Sequence, residues 1–464
     1  MSGGRVGAAP GAPGAVRGYP LTADQRRLWF LQKLRPKDAG YNMYLAHRWR
    51  GPLSVPALGA ALARLTARHE VLRTSFDLVG DQPLQLVGEP AAVPVEVVDL
   101  AAEAGGAPVT GELITEVTAR RANAPFDLAA GPPLRPTVYR IGPDDQIFTL
   151  VMHHIISDGW SAKLMWEELL VHYRAELTGQ EPELPANETQ FGEYAVAEAA
   201  RLEGPSGEAD FEYWRTRLAG VPPLVLPTDR PGPRRPSAEA RFGSIRLDAP
   251  LTAAVERFAR EQRCTPFMVL LAAYQVLLAR WSGQDDFAVG IPVAGRNQVE
   301  HESMLGCFSK TAVVRADLGG GPDFRTVLRR VRSATMGALG HQDVPLERLL
   351  AALGIARERN RPPVFQTLFV MQSQHEVSAA APETPEGVTL EPVDAGFAQA
   401  KSDLLLDIWR DADGMLASFC FNRELFDEQT VSAVPGRYRL LLEQVVADPA
   451  APAHGDPPGT TGRP

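Results

Sequence analysis

The sequence predicts a mixed α/β (α+β) protein built from two lobes. At 464 residues the chain is too long for one ordinary hydrophobic core. Both halves combine strand-like runs with long helical patterns, and the proline-rich stretch PPLVLPTDRPGPRRPSAEA separates them. We expect a tail over 1–18, a first lobe over 19–180, a connector over 181–240, a second lobe over 241–447 and a tail over 448–464.

Composition excludes several classes of protein. The net charge of −9 argues against nucleic-acid binding. Three widely separated cysteines with no CxxC pair argue against a disulfide framework or a zinc knuckle and fit a reducing compartment. The N-terminus lacks the apolar segment of a signal peptide, and the window FMVLLAAYQVLLA is too short to cross a bilayer. We therefore expect a cytoplasmic protein that binds neither nucleic acid nor membrane.

The first half predicts two helices, a hairpin and a buried strand. A helical pattern runs through LTADQRRLWFLQKL, and Ser54 followed by Pro56 marks the start of a second helix. Strand-like runs on both sides of Gly80 predict a hairpin. The run DDQIFTLVMHH is apolar on both alternating faces, as in a strand buried on both sides. Ser161 is expected to cap the helix that follows.

The second half repeats this mixture of elements. We expect a long helix over 251–281, then strands in DDFAVGIPVAGR and TAVVRADL. A helix from Phe324 to about Gly340, a strand in FQTLFVMQ and a hairpin at RDADG follow. A last helix is expected from about Asp427 to Val446.

The stretch VMHHIISDGWS, residues 151–161, places titratable side chains at the end of the buried strand. The loop between a strand and a helix is a common place for catalytic groups. His153 and His154 are adjacent on the strand, so only one of them can face a given cavity. A buried histidine is most often a core residue satisfied by hydrogen bonds, and that interpretation stays open for His153.

Two other chemistries fit this stretch poorly. His153, His154 and Asp158 are acceptable metal ligands, but the two rings diverge and no HxH or HExxH spacing is present, so no metal is expected. A covalent mechanism lacks a GxSxG elbow or a cysteine in a catalytic context. A histidine that acts directly on an incoming nucleophile is the chemistry that remains, because neutral imidazole accepts a proton near pH 7.

The string formed by His153, His154, Asp158 and Gly159 resembles the HHxxxDG signature of condensation domains of nonribosomal peptide synthetases. Other motifs of that family occur in its order along the chain. They are LTADQRRLWFL and RHEVLRTSF before the signature, and TQFGEYAV, MLGCFSKTAVVR, HQDVPLERL and RERNRPPVFQTLFVMQ after it. The chain is identified as a member of this family on these motifs.

The resemblance implies two lobes similar to chloramphenicol acetyltransferase, arranged in a V around a central tunnel. It implies a partner carrier protein that brings the donor as a phosphopantetheine thioester, and no bound cofactor of the enzyme's own. The donor is expected to meet the acceptor beside His154, while His153 packs or braces it. Asp158 is implied to be structural, paired with Arg296, and Gly159 to leave room where a side chain would block. Trp160 and Ser161 are further candidates for the tunnel lining.

One motif departs from the family pattern. The family usually reads Gly-x-Phe-Val-Asn-Thr, whereas residues 306–311 read GCFSKT. We expect Ser309 and Lys310 to contact an unusual substrate in the tunnel, although a lysine more commonly points to solvent. Lys310 is also a candidate to meet a carrier phosphate.

The sequence carries no adenylation or carrier segment, which predicts a free-standing condensation enzyme. Such an enzyme joins a carrier-bound aminoacyl or acyl group to an amine or hydroxyl acceptor, here expected to be small and soluble. Free-standing members in enediyne pathways, which esterify a hydroxyl, are a parallel. An epimerization domain and a catalytically silent recruitment domain of the same family stay open as alternatives.

Overall fold

A computed structural model describes residues 15–230, 240–344, 346–355, 363–372, 384, 387–393, 400 and 402–453. The chain divides into two units. Unit 1 comprises residues 1–204, 294–309 and 379–397, and unit 2 comprises 205–293, 310–378 and 398–464. The chain therefore returns to unit 1 twice after its first 204 residues.

Unit 1 contains a three-stranded and a five-stranded sheet, with strand orders β1-β4-β3 and β12-β2-β7-β6-β5. All neighbours are antiparallel except β5 and β6. The strands are β1 (Ala15–Pro20), β2 (Asn42–Arg50), β3 (Thr74–Val79), β4 (Gln82–Gly88), β5 (Glu96–Asp99), β6 (Leu134–Gly142), β7 (Asp145–His153) and β12 (Thr389–Pro392).

The helices of unit 1 begin at side chains that cap them. Thr22 and Gln25 form a reciprocal capping box at the first helix, and Ser54 accepts a hydrogen bond from Ala57 at the second, as Ser54 and Pro56 predicted. The helices are α1 (Ala23–Leu34), α2 (Val55–Arg68), α3 (Leu100–Glu103), α4 (Gly111–Ala122), α5 (Gly159–Thr178) and α6 (Phe191–Glu203). The hairpin predicted at Gly80 is confirmed by β3 and β4.

The central strand β7 explains why the run before the histidines is apolar at successive positions. It lies between β2 and β6, and every residue from Gln146 to His153 is buried. Phe148 and Leu150 pack into a core with Leu62 of α2 and Leu169 of α5. The sheet therefore fixes the end of β7 from both sides.

Unit 2 contains one six-stranded sheet of order β10-β9-β11-β13-β14-β8. The strand β11 runs parallel to both of its neighbours and the other pairs are antiparallel. The strands are β8 (Ala240–Asp248), β9 (Asp286–Val293), β10 (Lys310–Asp317), β11 (Thr367–Gln372), β13 (Leu404–Asp411) and β14 (Gly414–Asn422). The helices are α7 (Pro205–Arg217), α8 (Ala249–Glu261), α9 (Pro266–Ser282), α10 (Phe324–Gly340), α11 (Leu346–Leu353) and α12 (Glu428–Ala447).

The long helix predicted over 251–281 is wrong, because two helices occupy that stretch. The axes of α8 and α9 differ by 104°. Arg263 adopts a left-handed φ of 53°, and Thr265 and Pro266 then start a new helix. Within the described residues no single helix has the length and apolar content to cross a membrane; α8 and α9 meet that test only as a bent pair.

Three predicted boundaries differ from the structure. The expected tail over 1–18 overlaps β1, which pairs with β4. The expected connector over 181–240 contains α6 and the start of unit 2 at α7, because Pro205 begins a new helix there and does not open an extended segment. The expected tail from 448 first packs onto unit 2, where the buried Ala453 donates to the carbonyl of Pro322 and accepts from Arg280.

Candidate active site

The candidate site lies where β7 ends and α5 begins. His153 is the last residue of β7, as the sequence predicted, whereas α5 begins at Gly159, before the predicted capping residue Ser161. Asp158, not Ser161, caps the helix: its Oδ1 accepts a hydrogen bond of 2.8 Å from the amide of Ser161. The carboxylate at this position reaches the third amide of the helix, which leaves the Ser161 hydroxyl for other partners.

His153 is a buried residue with a defined tautomer. Its side chain is 1% exposed, and its Nδ1 accepts a hydrogen bond of 3.1 Å from the amide of Ile155. An Nδ1 that accepts a hydrogen bond carries no proton, so the neutral ring is protonated at Nε2. His153 therefore braces the turn that follows it.

His154 is half-buried, and its backbone amide donates to the carbonyl of Tyr41 at 2.7 Å. Its Nδ1 lies 3.8 Å from the Sγ of Cys307, within the range of a sulfur hydrogen bond. Burial raises the pKa of the Cys307 thiol well above its ordinary value, so the group beside the imidazole is neutral. The Nδ1 of His154 therefore lies beside a buried, neutral thiol.

The Asp158 carboxylate joins two segments of unit 1 that are far apart in sequence. Besides the Ser161 amide, Oδ1 accepts from Arg296 Nη2 at 3.4 Å. The other oxygen, Oδ2, accepts from the backbone amides of Phe308 and Ser309 at 2.9 and 3.0 Å. Because each contact uses a donor that burial has removed from water, the carboxylate positions the histidine loop against residues 306–309.

Arg296 extends the same network. Its Nη2 also donates to the Ser161 hydroxyl at 2.7 Å, and its Nη1 donates to the carbonyls of His301 and Met304. The guanidinium stacks over the ring of Phe308 with its Cζ 4.1 Å from the ring centroid. Burial lowers the pKa of Arg296, and the neighbouring Asp158 offsets part of that effect.

The remaining loop residues take different positions. The Ser161 hydroxyl donates to the Gly306 carbonyl and accepts from the Gly306 amide. It therefore connects α5 to the fifth motif of the family, MLGCFSKTAVVR at residues 304–315. Trp160 donates from its indole nitrogen to the Glu302 carbonyl at 2.9 Å. A Cβ added at Gly159 would meet no atom within 4 Å. The space beside Gly159 is therefore open, and the approach of a substrate chain there stays a prediction.

Ser309 and Lys310 fall in different units. Ser309 is bound to Asp158 through its backbone, whereas Lys310 begins β10 of unit 2. The Lys310 side chain is 9% exposed and its ammonium contacts the Asp343 carboxylate, so the solvent-facing alternative is wrong. The ammonium of Lys310 therefore has a carboxylate as its partner in place of bulk water. Contact of either residue with substrate stays a prediction, which a changed acceptor preference in Lys310→Asn would support.

Cys307 is the site residue that sequence reasoning missed. Its position is the variable one of the fifth motif, so nothing in the motif letters assigns it a role. The available signal was the position of Cys307 in the sequence. It is adjacent to Phe308 and Ser309, whose amides bind Asp158, so its side chain can reach His154. Among the described residues, no group of three or more His, Cys, Asp and Glu side chains is placed to hold a metal ion.

The chain is similar to known proteins over most of its length. The family model of the condensation domain matches residues 16–455. A linear gramicidin synthase polypeptide of Brevibacillus parabrevis is 37% identical over 439 residues, which are 93% of this chain and 6% of that protein. Phosphinothricin tripeptide synthetase PhsB of Streptomyces viridochromogenes is 35% identical and matches 91% of this chain and 35% of that protein. The chain thus spans well under half the length of these relatives.

Solved structures are similar over nearly the whole chain. The X-domain from teicoplanin biosynthesis superposes with a TM-score of 0.84 at 29% identity, covering 96% of this chain and 98% of that one. An X-domain from the same pathway was solved in complex with OxyB. SgcC5 protein from Streptomyces globisporus superposes with a TM-score of 0.73 at 27% identity, covering 93% of this chain and 100% of that one.

These matches define the class as proteins of nonribosomal peptide synthesis. Within that class, the chain belongs to the condensation-domain family, and the predicted family and fold are confirmed. Condensation domains of this family are acyltransferases that act with carrier-protein domains. They need no cofactor of their own, because the phosphopantetheine belongs to the carrier.

Proposed function

We propose that this chain transfers an aminoacyl or acyl group from a carrier-bound phosphopantetheine thioester to a small, soluble amine or hydroxyl. The acceptor nitrogen or oxygen attacks the thioester carbonyl carbon and forms a tetrahedral intermediate. The C–S bond then breaks, the phosphopantetheine thiol leaves, and an amide or ester remains. The proton lost by the acceptor goes to the departing sulfur.

The Asp158 network supports this proposal most directly. It fixes the loop of His154 against residues 306–309 while leaving the imidazole half-buried at the end of a rigid strand. A catalytic histidine needs this combination, because its ring must be oriented yet reachable by substrate. The open space beside Gly159 gives the same loop room for an approaching chain.

We assign proton transfer or orientation of the attacking group to His154. An amine that arrives neutral needs little help, whereas a hydroxyl must lose its proton in the transition state. The transfer rate should therefore fall more on loss of His154 with hydroxyl acceptors than with amines. His153, whose Nδ1 is engaged by Ile155, braces the loop and takes no part in proton transfer.

A mass-spectrometric transfer assay tests the proposal. Carrier protein loaded with aminoacyl thioesters is offered with a panel of amines and alcohols, to wild type and to His154→Ala. We expect the variant to lose about 10²- to 10⁴-fold in rate, with the larger loss for alcohols. His341→Ala, which removes a histidine of unit 2 whose side chain is 33% exposed, is the matched control and should retain transfer. Equal rates for wild type and His154→Ala would refute the assignment.

A recruitment function is the second candidate. The similarity to an X-domain, a domain type solved in complex with OxyB, favours it. It predicts a stable complex with a partner protein and an intact thioester across the whole acceptor panel. Product formation that depends on His154 would exclude recruitment as the sole function.

A further inference from the structure

The two adjacent histidines of the loop make different ring contacts. The Nδ1 of His153 accepts a hydrogen bond from the Ile155 amide at 3.1 Å, so its neutral ring carries the proton on Nε2. The Nδ1 of His154 instead lies 3.8 Å from the Sγ of Cys307. A thiol is able either to donate a hydrogen bond to this nitrogen or to accept one from it. The direction of the contact decides which nitrogen of His154 holds the proton.

Cys307 is held beside the ring by the hydrogen bonds of its two neighbours in the chain. The amide and carbonyl of Gly306 bind the hydroxyl of Ser161. The amide of Phe308 donates to the Asp158 carboxylate at 2.9 Å. The side chain of Cys307 is only 4% exposed, so water does not compete for the sulfur. The thiol therefore meets the imidazole from a fixed position within unit 1.

We propose that the sulfur of Cys307 accepts a hydrogen bond from the Nδ1–H of His154 and so keeps the lone pair of the neutral ring on Nε2. Nε2 then takes the proton of the amine or hydroxyl acceptor during attack and passes it to the departing phosphopantetheine sulfur. Nδ1–H keeps its acceptor in the neutral ring and in the imidazolium. The assignment rests on the proposed acyl transfer and adds a positioning residue to it.

The opposite direction of the hydrogen bond would prevent this proton transfer. If the thiol donated to Nδ1, the neutral ring of His154 would carry its proton on Nε2 and could not accept another there. Both histidines would then have the same tautomer, and Nε2 of His154 would act only as a hydrogen-bond donor. The two directions therefore differ in a property of the free protein, which is measurable without substrate.

The partner of Nδ1 in this arrangement is neutral. Burial raises the pKa of the Cys307 thiol well above its ordinary value, so the sulfur carries no charge. A carboxylate in the same place would favour the imidazolium and raise the pKa of the ring. The thiol thus orients the imidazole without adding a charge beside it. Cys307 acts through His154 and forms no bond to the reacting atoms.

Nitrogen-15 NMR of the full chain with labelled histidine reads the tautomer at about pH 8.5, where a histidine side chain is ordinarily neutral. The signals of His154 are those that His154→Ala lacks. We expect Nδ1–H in wild type and in Cys307→Ser, whose hydroxyl is also an acceptor, and a shift toward Nε2–H in Cys307→Ala. A proton on Nε2 in wild type, or one tautomer shared by all three proteins, would overturn the proposal.

Transfer rates separate this inference from the proposed function. Cys307→Ala should lower kcat by about three- to tenfold with KM nearly unchanged, and Cys307→Ser should restore most of the rate. The matched control is Cys264→Ala, which removes a thiol bound to the Ala259 carbonyl in unit 2 and should retain the rate. If wild type transfers nothing but the tautomer changes as expected, the proposed transfer fails and the positioning role stands. If transfer depends on His154 and Cys307→Ala keeps the full rate, the positioning role is refuted.

Discussion

Asp158 and Arg296 form an ion pair in which Oδ1 and Nη2 are 3.4 Å apart and both side chains are only 2% exposed. The pair is one part of a network, because the same carboxylate also receives the amides of Ser161, Phe308 and Ser309. Buried pairs are poor evidence of stability in themselves, yet the loss of one partner leaves the other charged and desolvated. Removal of Asp158 should therefore affect the fold before it affects chemistry.

Asp158→Ala is expected to lower the free energy of unfolding by about 3–5 kcal/mol, because Arg296, two buried amides and one part-buried amide lose their acceptor. Urea denaturation measures the change. The matched control is Asp145→Ala, which removes the partner of Arg48 in a pair whose side chains are 28% and 27% exposed. The free energy of unfolding of that variant should fall by no more than about 1 kcal/mol. Similar losses for the two variants would show that the Asp158 network contributes no special stability.

Local pattern predicted most of the elements and the position of the histidines. The helix over 324–340 and the hairpins after β3 and β13 match, since periodicity and turn residues are local signals. The break between α8 and α9, at the left-handed Arg263, was missed although Thr265 followed by Pro266 is the same helix-start signal as Ser54 and Pro56. A capping residue at Asp158 was missed because Ser161 is an equally good capping type.

Contacts between distant segments could not be predicted from pattern alone. The Ser161 hydroxyl and the Cys307 thiol take their roles from residues more than a hundred positions away. The pairing of Lys310 with Asp343 depends on how β10 and the residues after α10 come together within unit 2. Family resemblance supplied the Asp158–Arg296 pairing, which no local pattern could have predicted.

Two glycines of unit 1 should respond in opposite ways to alanine. At Gly159 the added methyl meets no neighbour, so Gly159→Ala should leave the free energy of unfolding unchanged or raise it by up to about 1 kcal/mol. At Gly306 the methyl would overlap the Phe191 ring, so Gly306→Ala should lower the free energy of unfolding by about 1–3 kcal/mol. Denaturation of both variants checks this.

The transfer assay tests whether substrate uses the open space beside Gly159. Because the space beside Gly159 is proposed to receive the thioester arm, Gly159→Ala should lower transfer by roughly tenfold or more despite an intact fold. A fully active Gly159→Ala variant would mean that the open space is not used by substrate.

Lys310 and Asp343 are expected to be strongly coupled. Their side chains are 9% and 11% exposed, so Lys310→Met leaves a buried carboxylate and should cost about 3 kcal/mol. The double variant Lys310→Met with Asp343→Leu should recover much of that loss, because both charges are then removed. A double-mutant cycle from thermal or urea unfolding gives the coupling energy, expected between about 0.5 and 3 kcal/mol. Additive losses would show that the two groups do not interact.

Asp407 lies in the middle of β13, and its Oδ1 is buried without a hydrogen-bond partner among the described residues. The cost of burying this carboxylate should appear as a pH-dependent difference in the free energy of unfolding between wild type and Asp407→Asn. Its pKa is raised from 3.8 to about 6 on folding, so between these values the native state holds more protons at this carboxyl than the unfolded chain. Stability from this group therefore falls as the pH rises through that window, and the full cost is present above about pH 7. Asp407→Asn removes the titration and should gain stability relative to wild type as the pH rises.

The quantity to measure is the increase, between pH 5 and pH 8, in the stability of Asp407→Asn relative to wild type. Any difference between the two side chains that does not depend on pH cancels from this increase. We expect it to be about 1 kcal/mol, levelling off above pH 7. Asp413→Asn is the control, because it makes the same substitution at an exposed carboxyl in the turn after β13. Urea unfolding of the three proteins at pH 5, 6, 7 and 8 gives the curve. A gain that shrinks as the pH rises would mean that burial does not raise the pKa of Asp407 in the folded chain.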